Sequence, residues 1–359
     1  MRRCPECGFP SKFARFFDWR DDGTITGTDR TRTTSQITFL EASEVETLLG
    51  DLSETIGIDI DRIFISAQKS IGKALYANLP IRHMKRVPAN RFLRPQWLAR
   101  LLVRAIASDI ASLGDGVVSL DRYRAGSSMV VRFRHPVLAP MMAGSVSGIY
   151  ESVEDMPGSN VEYHLEDGDL VITLTHGVGT PGAEERLVLE EAGEGHGSLG
   201  HERCGGCGVP LEAARTWEWD VRRGAITNMK TRNREVVVAV QSLNALLREL
   251  ERELGSEIPR LVYDHQKALT LRKAGGGKPG DVRAVLKNKI EAMALRGLGF
   301  PTKHHVNEDG VTVEIENAYN RDLYAAKLAA ALEWSAGGTS SIDWQSREPA
   351  GARFRLSVK

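Results

Sequence analysis

The chain has 359 residues, 42% hydrophobic and 26% charged, ordinary globular proportions with room for two or three domains at about 150 residues each. Lysine plus arginine equals aspartate plus glutamate at 47 each, so bulk charge excludes a general polyanion binder, and no run of roughly 18 apolar residues is present to span a membrane. The N-terminal MRRCPECGFPSK carries charge without an apolar core, so it does not read as a secretory signal, and the cytoplasm is the default compartment.

In chain order, the first element is CPECG, a Cys-x-x-Cys pair at Cys4 and Cys7 followed by glycine. Residues 13–28 read as a β-hairpin turning at Asp22-Gly23. Val45, Leu48, Leu49, Leu52 and Ile56 recur at helical spacing, and Gly57 stands where a C-cap is expected. Further helices are predicted over 61–77 and 96–113, the second with an apolar side running from Trp97 through Ile106 to Leu113. Strands are expected at 117–120 and 129–133, a helix over 139–153, and closing strands at 161–164 and 170–174. Residues 177–203 hold seven glycines and a short acidic run and read as a linker.

Beyond that linker the chain repeats. An offset of 200 carries Cys4 to Cys204, Cys7 to Cys207, Phe17 to Trp217 and Trp19 to Trp219, and an offset of 198 carries Val45, Leu48, Leu49 and Leu52 to Leu243, Leu246, Leu247 and Leu250. The same offset carries Gln68-Lys69 to Gln266-Lys267. A steady offset over so many positions reads as a tandem duplication. The second copy is expected to have a hairpin turning at Arg223-Gly224, helices over 259–273, 281–298 and 321–334, and strands at 311–315, 342–344 and 352–358.

The fold class is therefore α/β (α+β), in two pseudo-symmetric copies. Residues 1–40 are a first half zinc-ribbon and hairpin, 41–176 a first helix-and-sheet domain, 177–203 the linker, 204–238 a second half-ribbon and hairpin, and 239–359 a second helix-and-sheet domain.

The chain has four cysteines, and in a reducing compartment paired Cys-x-x-Cys favours metal over disulfide. One pair supplies half of a closed four-thiolate site, so Cys4, Cys7, Cys204 and Cys207 are the expected ligands of one structural Zn2+ shared between the copies. A redox pair is the alternative, but it usually opens a helix, and β-like sequence follows both pairs here. His196 and His201 precede the second pair and are substitute ligands. His304-His305 lacks a third ligand.

Charge is unevenly spread. Residues 62–108 carry ten Lys or Arg and no acid, whereas 148–203 carry thirteen acids and two arginines. Such asymmetry marks a binding face or two surfaces that attract each other, and the second is the simpler reading. The insert 79–94, with Arg82, Lys85, Arg86, Arg91 and Arg94, suits a phosphate or carboxylate. Nucleic acid is disfavoured because only Phe92 and Trp97 are near for stacking.

The later part of each copy resembles the 4-vinyl-reductase, or hydrocarbon-binding, domain. LARLLVRAIASDIASLG, SSMVVRFRHP, APMMAGSVSGIYESV and VEYHLEDGDLVITL carry the resemblance in the first copy. VRAVLKNKIEAMALRGLG, GVTVEIENAY, RDLYAAKLAAALEW and IDWQSREPAGARFRLSV carry it in the second. Gly144, Gly148 and the Gly168-Asp169 turn are the closest matches. The resemblance implies a domain related to NO-sensing haem domains and TRAPP-type subunits, with a cavity for small, often apolar ligands between helices and sheet. The family's terminal cysteine pair is absent, with His164 near the first position and Ile172 near the second, so its chemistry is not carried over.

These readings converge on a zinc-stabilised pseudo-dimeric binding protein for a small apolar or acyl-type ligand, acting as sensor, carrier or scaffold, with a protein partner or a homodimer as further assembly. Tyr76, Arg82, Lys85, Arg86, Trp97 and Tyr150 are the candidate ligand contacts, with Tyr324 and Trp334 as further aromatics; for each aromatic, plain core is the simpler reading. An enzyme or reductase-accessory protein is the alternative. The sequence has no GxSxG, HExxH or GxGxxG signature and GGGKPG lacks the rest of a P-loop, so no catalytic residue is assigned. Gln68-Lys69 and Gln266-Lys267 read as inherited, solvated positions.

Overall fold

In the computed structural model, which describes residues 2–28, 34–78, 94–177, 197–275, 280–307, 309–347 and 351–358, two three-stranded meanders meet edge to edge. The first is β1 (Phe17–Trp19), β2 (Ile25–Thr28) and β3 (Thr34–Glu41). The second is β8 (Trp217–Asp220), β9 (Ala225–Asn228) and β10 (Arg234–Ala239). Together they make a six-stranded sheet ordered β1-β2-β3-β10-β9-β8. At its centre Phe39 faces Val237, Thr38 faces Val238 and Leu40 faces Val236 in antiparallel register. Phe39 and Val237 are 198 residues apart, the offset of the repeat. The sequence pattern suggests a hairpin alone in each half; the third strands, β3 and β10, extend it and form the seam.

Each half continues as helices against a four-stranded antiparallel sheet, so the class is α+β. In the first half these are α1 (Ala42–Ile56), α2 (Asp61–Asn78), α3 (Gln96–Ser112), β4 (Val117–Arg124), β5 (Ser128–Arg134), α4 (Ala139–Glu154), β6 (Ser159–Glu166) and β7 (Asp169–His176), with sheet order β4-β5-β7-β6. After the short α5 (Leu211–Thr216), the second half runs α6 (Val240–Leu254), α7 (Ile258–Ala274), α8 (Val282–Leu295), β11 (Lys303–Asn307), β12 (Gly310–Ile315), α9 (Arg321–Ala336), β13 (Ser340–Arg347) and β14 (Ala352–Val358). Its sheet order, β11-β12-β14-β13, repeats the first. His304 and His305 lie on β11, an edge strand that the sequence pattern does not reveal. Among the described residues no helix is long and apolar enough to cross a membrane.

Local chemistry accounts for the helices. The stripe Val45, Leu48, Leu49 and Leu52 is buried, and Gly57 closes α1 in the left-handed conformation at φ 77° with its N–H on the Ser53 carbonyl, the geometry a C-cap glycine permits. What each stripe meets is less local. α1 packs on α7 and α2 packs on α6, so the first helix of each half lies on the second helix of the other. Ala67 and Ala245 are buried together there, Thr55 Oγ1 meets His265 Nε2 at 2.9 Å, and Arg272 pairs with Asp51 at 2.9 Å.

The small residues of α4 serve helix packing. A Cβ at Gly144 would lie 2.6 Å from both Gln68 Cβ and the Ile65 carbonyl oxygen, and one at Gly148 would enter the Lys69 carbonyl. α2 and α4 thus approach backbone to backbone, and no ligand space is left at their crossing.

Candidate functional site

Both Cys-x-x-Cys pairs form the same tight turn. The Cys4 N–H donates to the Phe9 carbonyl at 2.8 Å and the Gly8 N–H to the Cys4 carbonyl at 2.9 Å; Cys204 does the same to Val209 at 2.9 Å, and Gly208 to Cys204 at 2.8 Å. Gly8 and Gly208 have φ of 74° and 75°, a bend that glycine adopts without strain. Arg3 crosses to the Trp219 carbonyl at 3.2 Å and Arg203 to the Trp19 carbonyl at 2.5 Å. Beneath the turns an aromatic cluster joins the halves: Phe39 stacks on Trp217 at 4.3 Å, and Phe9 meets Trp219 edge-on at 4.8 Å.

This places the four thiols together. Cys4 Sγ is 3.7 Å from Cys204 Sγ, Cys7 Sγ is 3.5 Å from Cys207 Sγ, and all four ligand atoms lie within 4.8 Å of one another. Zn–S bonds of about 2.3 Å in a tetrahedron require sulfurs about 3.8 Å apart, so the cluster can hold one metal ion with two ligands from each half. Hydrogen bonds from the Cys7 and Glu6 backbone N–H groups lower the Cys4 pKa to about 7, whereas burial raises Cys207 to about 12. Glu6 breaks the equivalence, since its carboxylate accepts from the Gly206 N–H at 2.8 Å. His201 is not part of the four-ligand group, and His196 lies outside the described residues.

The first half encloses a cavity of about 80 Å3 between α3, α4 and the β4–β5 hairpin. Its walls are aliphatic apart from Phe133, Tyr123 and Tyr150. Tyr123 donates to Glu154 at 2.5 Å, whereas the Tyr150 hydroxyl is buried without a hydrogen-bond partner among the described residues. Burial first, and the nearby Glu154 charge second, raise the Tyr150 pKa, so it stays a neutral donor. α3 rests chiefly on β4.

The other candidate contacts fall elsewhere. Trp97 is 67% exposed on α3 and does not line the cavity. Arg82, Lys85, Arg86 and Arg91 lie outside the described residues, as does the Tyr76 side chain. Arg94 is described and belongs to no anion site: it is buried and donates to the Val153 carbonyl at 2.8 Å, beside Glu154 at 3.5 Å. Tyr324 is fully buried core. Trp334 lines a second cavity at the seam between the halves.

The repeated Gln-Lys pairs are not solvated, and here the sequence reading is corrected. Gln68 and Gln266 are buried, and the Gln68 amide donates to Ser145 Oγ at 2.9 Å. Lys69 pairs with the fully buried Glu151 at 2.8 Å, and Lys267 with Glu333 at 2.9 Å. Ser159 caps Glu151 through N–H and Oγ at 2.9 and 2.7 Å, and Ser340 caps Glu333 at 2.7 Å through both. Sequence reasoning missed the two glutamates, although GIYE and AALE occupy equivalent places in the repeat. The basic and acidic stretches do attract each other: Lys69 and Lys73 reach Glu151, and Arg94 reaches Glu154.

No protein-family model matches the chain, and no curated protein does. Among solved structures, the phenol-responsive sensory domain of the transcription activator PoxR with phenol is similar at 15% identity and a TM-score of 0.32, over 41% of this chain and 87% of that chain. The 4-vinyl-reductase resemblance accordingly rests on the sequence motifs alone.

Proposed function

We propose that the chain is a duplicated, zinc-clamped binding protein for a small apolar molecule bearing one hydrogen-bonding group, acting as a sensor or carrier. The observation that carries this reading is the unpaired Tyr150 hydroxyl beside an otherwise apolar cavity. A buried hydroxyl without a partner costs about 1–3 kcal/mol, and a ligand oxygen removes that cost. The cavity of about 80 Å3 is smaller than the ~150 Å3 that admits benzene in an engineered core. A ring therefore enters with a shift of α3, which leaves Trp97 and Leu101 exposed on its far side.

The duplication is supported by the repeat offset, by the Phe39–Val237 register and by the identical strand orders of the two later sheets. The clamp follows from chemistry. Metal binding by preassembled thiols adds directly to folding free energy, and with two ligands from each half it fixes their relative orientation.

Native mass spectrometry against the denatured mass tests the metal. One zinc per chain is expected, and a visible absorption band would instead identify iron, which the same four-sulfur geometry accepts. Titration with cyclohexanol tests the cavity. It is expected to raise the melting temperature, with Tyr150→Phe weakening binding about tenfold and Val146→Phe, which fills the space, abolishing it. A protein that carries no co-purified molecule and shows no shift with cyclohexanol refutes the ligand reading.

A further inference from the structure

A larger cavity, of about 430 Å3, lies at the seam between the halves, within the ~300–1,000 Å3 typical of small-molecule sites. α1 and the end of β3 form one side, and α7, α8 and α9 form the other. Its charges are unequal. Lys273 is held by Glu41 at 2.6 Å and Glu44 at 3.2 Å, Lys327 pairs with Glu44, and Arg296 makes a two-pronged contact with Glu235 at 2.6 Å. Lys289 also lines the cavity, and no hydrogen bond or ion pair joins it to any described residue. Among the described lining residues four cations thus stand with two carboxylates, Glu41 and Glu44, while Glu235, outside the lining, takes up Arg296. Burial, and next the nearby Lys327, press the Lys289 pKa down to about 8 against the pull of Glu44. Thr270 and Asn288 add neutral polar groups, and the rest of the described wall is apolar, including Val285, Met293 and Trp334.

We propose that this cavity binds a small amphiphilic carboxylate, whose head pairs with Lys289 and whose apolar body lies against Val285, Met293 and Trp334. One surplus cation matches a monovalent head, whereas a phosphate dianion would leave one negative charge unmatched. The site is separate from the first-half cavity and independent of the ligand reading given for it. Because α1 and β3 come from one half and α7–α9 from the other, its occupant would touch both.

Isothermal titration of the full-length protein with octanoate, 1-octanol and acetate is the test. Octanoate is expected to bind at least about tenfold more tightly than either of the others. Lys289→Met is expected to weaken octanoate about tenfold or more without lowering the melting temperature, since it breaks no contact. Lys289→Arg should keep octanoate affinity within about threefold, and Tyr150→Phe should leave it unchanged. In the unsubstituted protein, octanoate should slow reductive methylation at Lys289 about threefold or more. The proposal is overturned if octanoate does not bind, if 1-octanol binds as well, or if neither Lys289→Met nor the methylation rate responds.

Discussion

Removing the Glu151 carboxylate should unfold the first half more readily than any surface change. Its side chain is fully buried; Lys69 lies at 2.8 Å and is 13% exposed, while Lys73 lies at 3.0 Å and is 36% exposed. Glu151→Ala removes the carboxylate that pairs with Lys69 and the acceptor of the Ser159 N–H and Oγ. Breaking one partner of a buried pair costs about 3–5 kcal/mol, and Lys69 is shielded enough for that range to apply. Lys73 is too exposed to add much. Glu333→Ala should cost less, about 2–3 kcal/mol, because Glu333 is 10% and Lys267 19% exposed. Adding Lys69→Met to Glu151→Ala removes the ammonium that has lost Glu151 and should recover about 1–2 kcal/mol.

Urea denaturation at pH 7, followed by tryptophan fluorescence and circular dichroism, reads all four proteins. Burial opposes ionisation of Glu151, but the hydrogen bonds from Lys69 and Ser159 outweigh it and hold its pKa below the ordinary 4.5. The contribution is therefore present in full above pH 4.5 and is lost as pH falls through the lowered native value. A Glu151→Ala loss under about 1 kcal/mol, or a larger loss from Glu333→Ala, would refute the assignment of a buried pair.

Cys4→Ser should abolish metal retention measured by mass spectrometry and lower the melting temperature, because three remaining ligands no longer close the site; unchanged metal content would sink the shared cluster. Gly148→Ala should cost about 1–3 kcal/mol or more, read as a lower urea midpoint, since its methyl would enter the Lys69 carbonyl. Asp115 is held by burial at a pKa of about 7 despite the opposing charge of Arg234. A raised acid pKa means that stability is lost as pH rises from about 4 towards 7. Asp115→Asn should therefore gain on the native chain across that interval, by on the order of 2–4 kcal/mol, and equal pH profiles would refute it.

Much of the local structure is legible in the residues themselves. Apolar spacing from Val45 to Leu52 gives α1, Gly57 ends it, and Cys-x-x-Cys-Gly specifies each tight cysteine turn, because these are relations among neighbours a few residues apart. The internal repeat implies that the two turns meet, and the four thiols do lie together. Other features depend on pairings that no local period encodes. Thr34–Glu41 and Arg234–Ala239 become strands because each edge needs a partner, and they find it in each other. That seam determines which helix covers which stripe, so α1 lies on α7 and α2 on α6. It also decides where polar residues go. Gln68 and Lys69 look like a solvated pair until α4 brings Glu151 against α2, and Lys289 looks like one more surface lysine until the seam places it in a cavity whose carboxylates, Glu41 and Glu44, are paired with other lysines. Sequence alone determined most of the helices and the two Cys-x-x-Cys turns; tertiary structure decided the seam strands β3 and β10 and which charges are buried together, since desolvation depends on every neighbour in space.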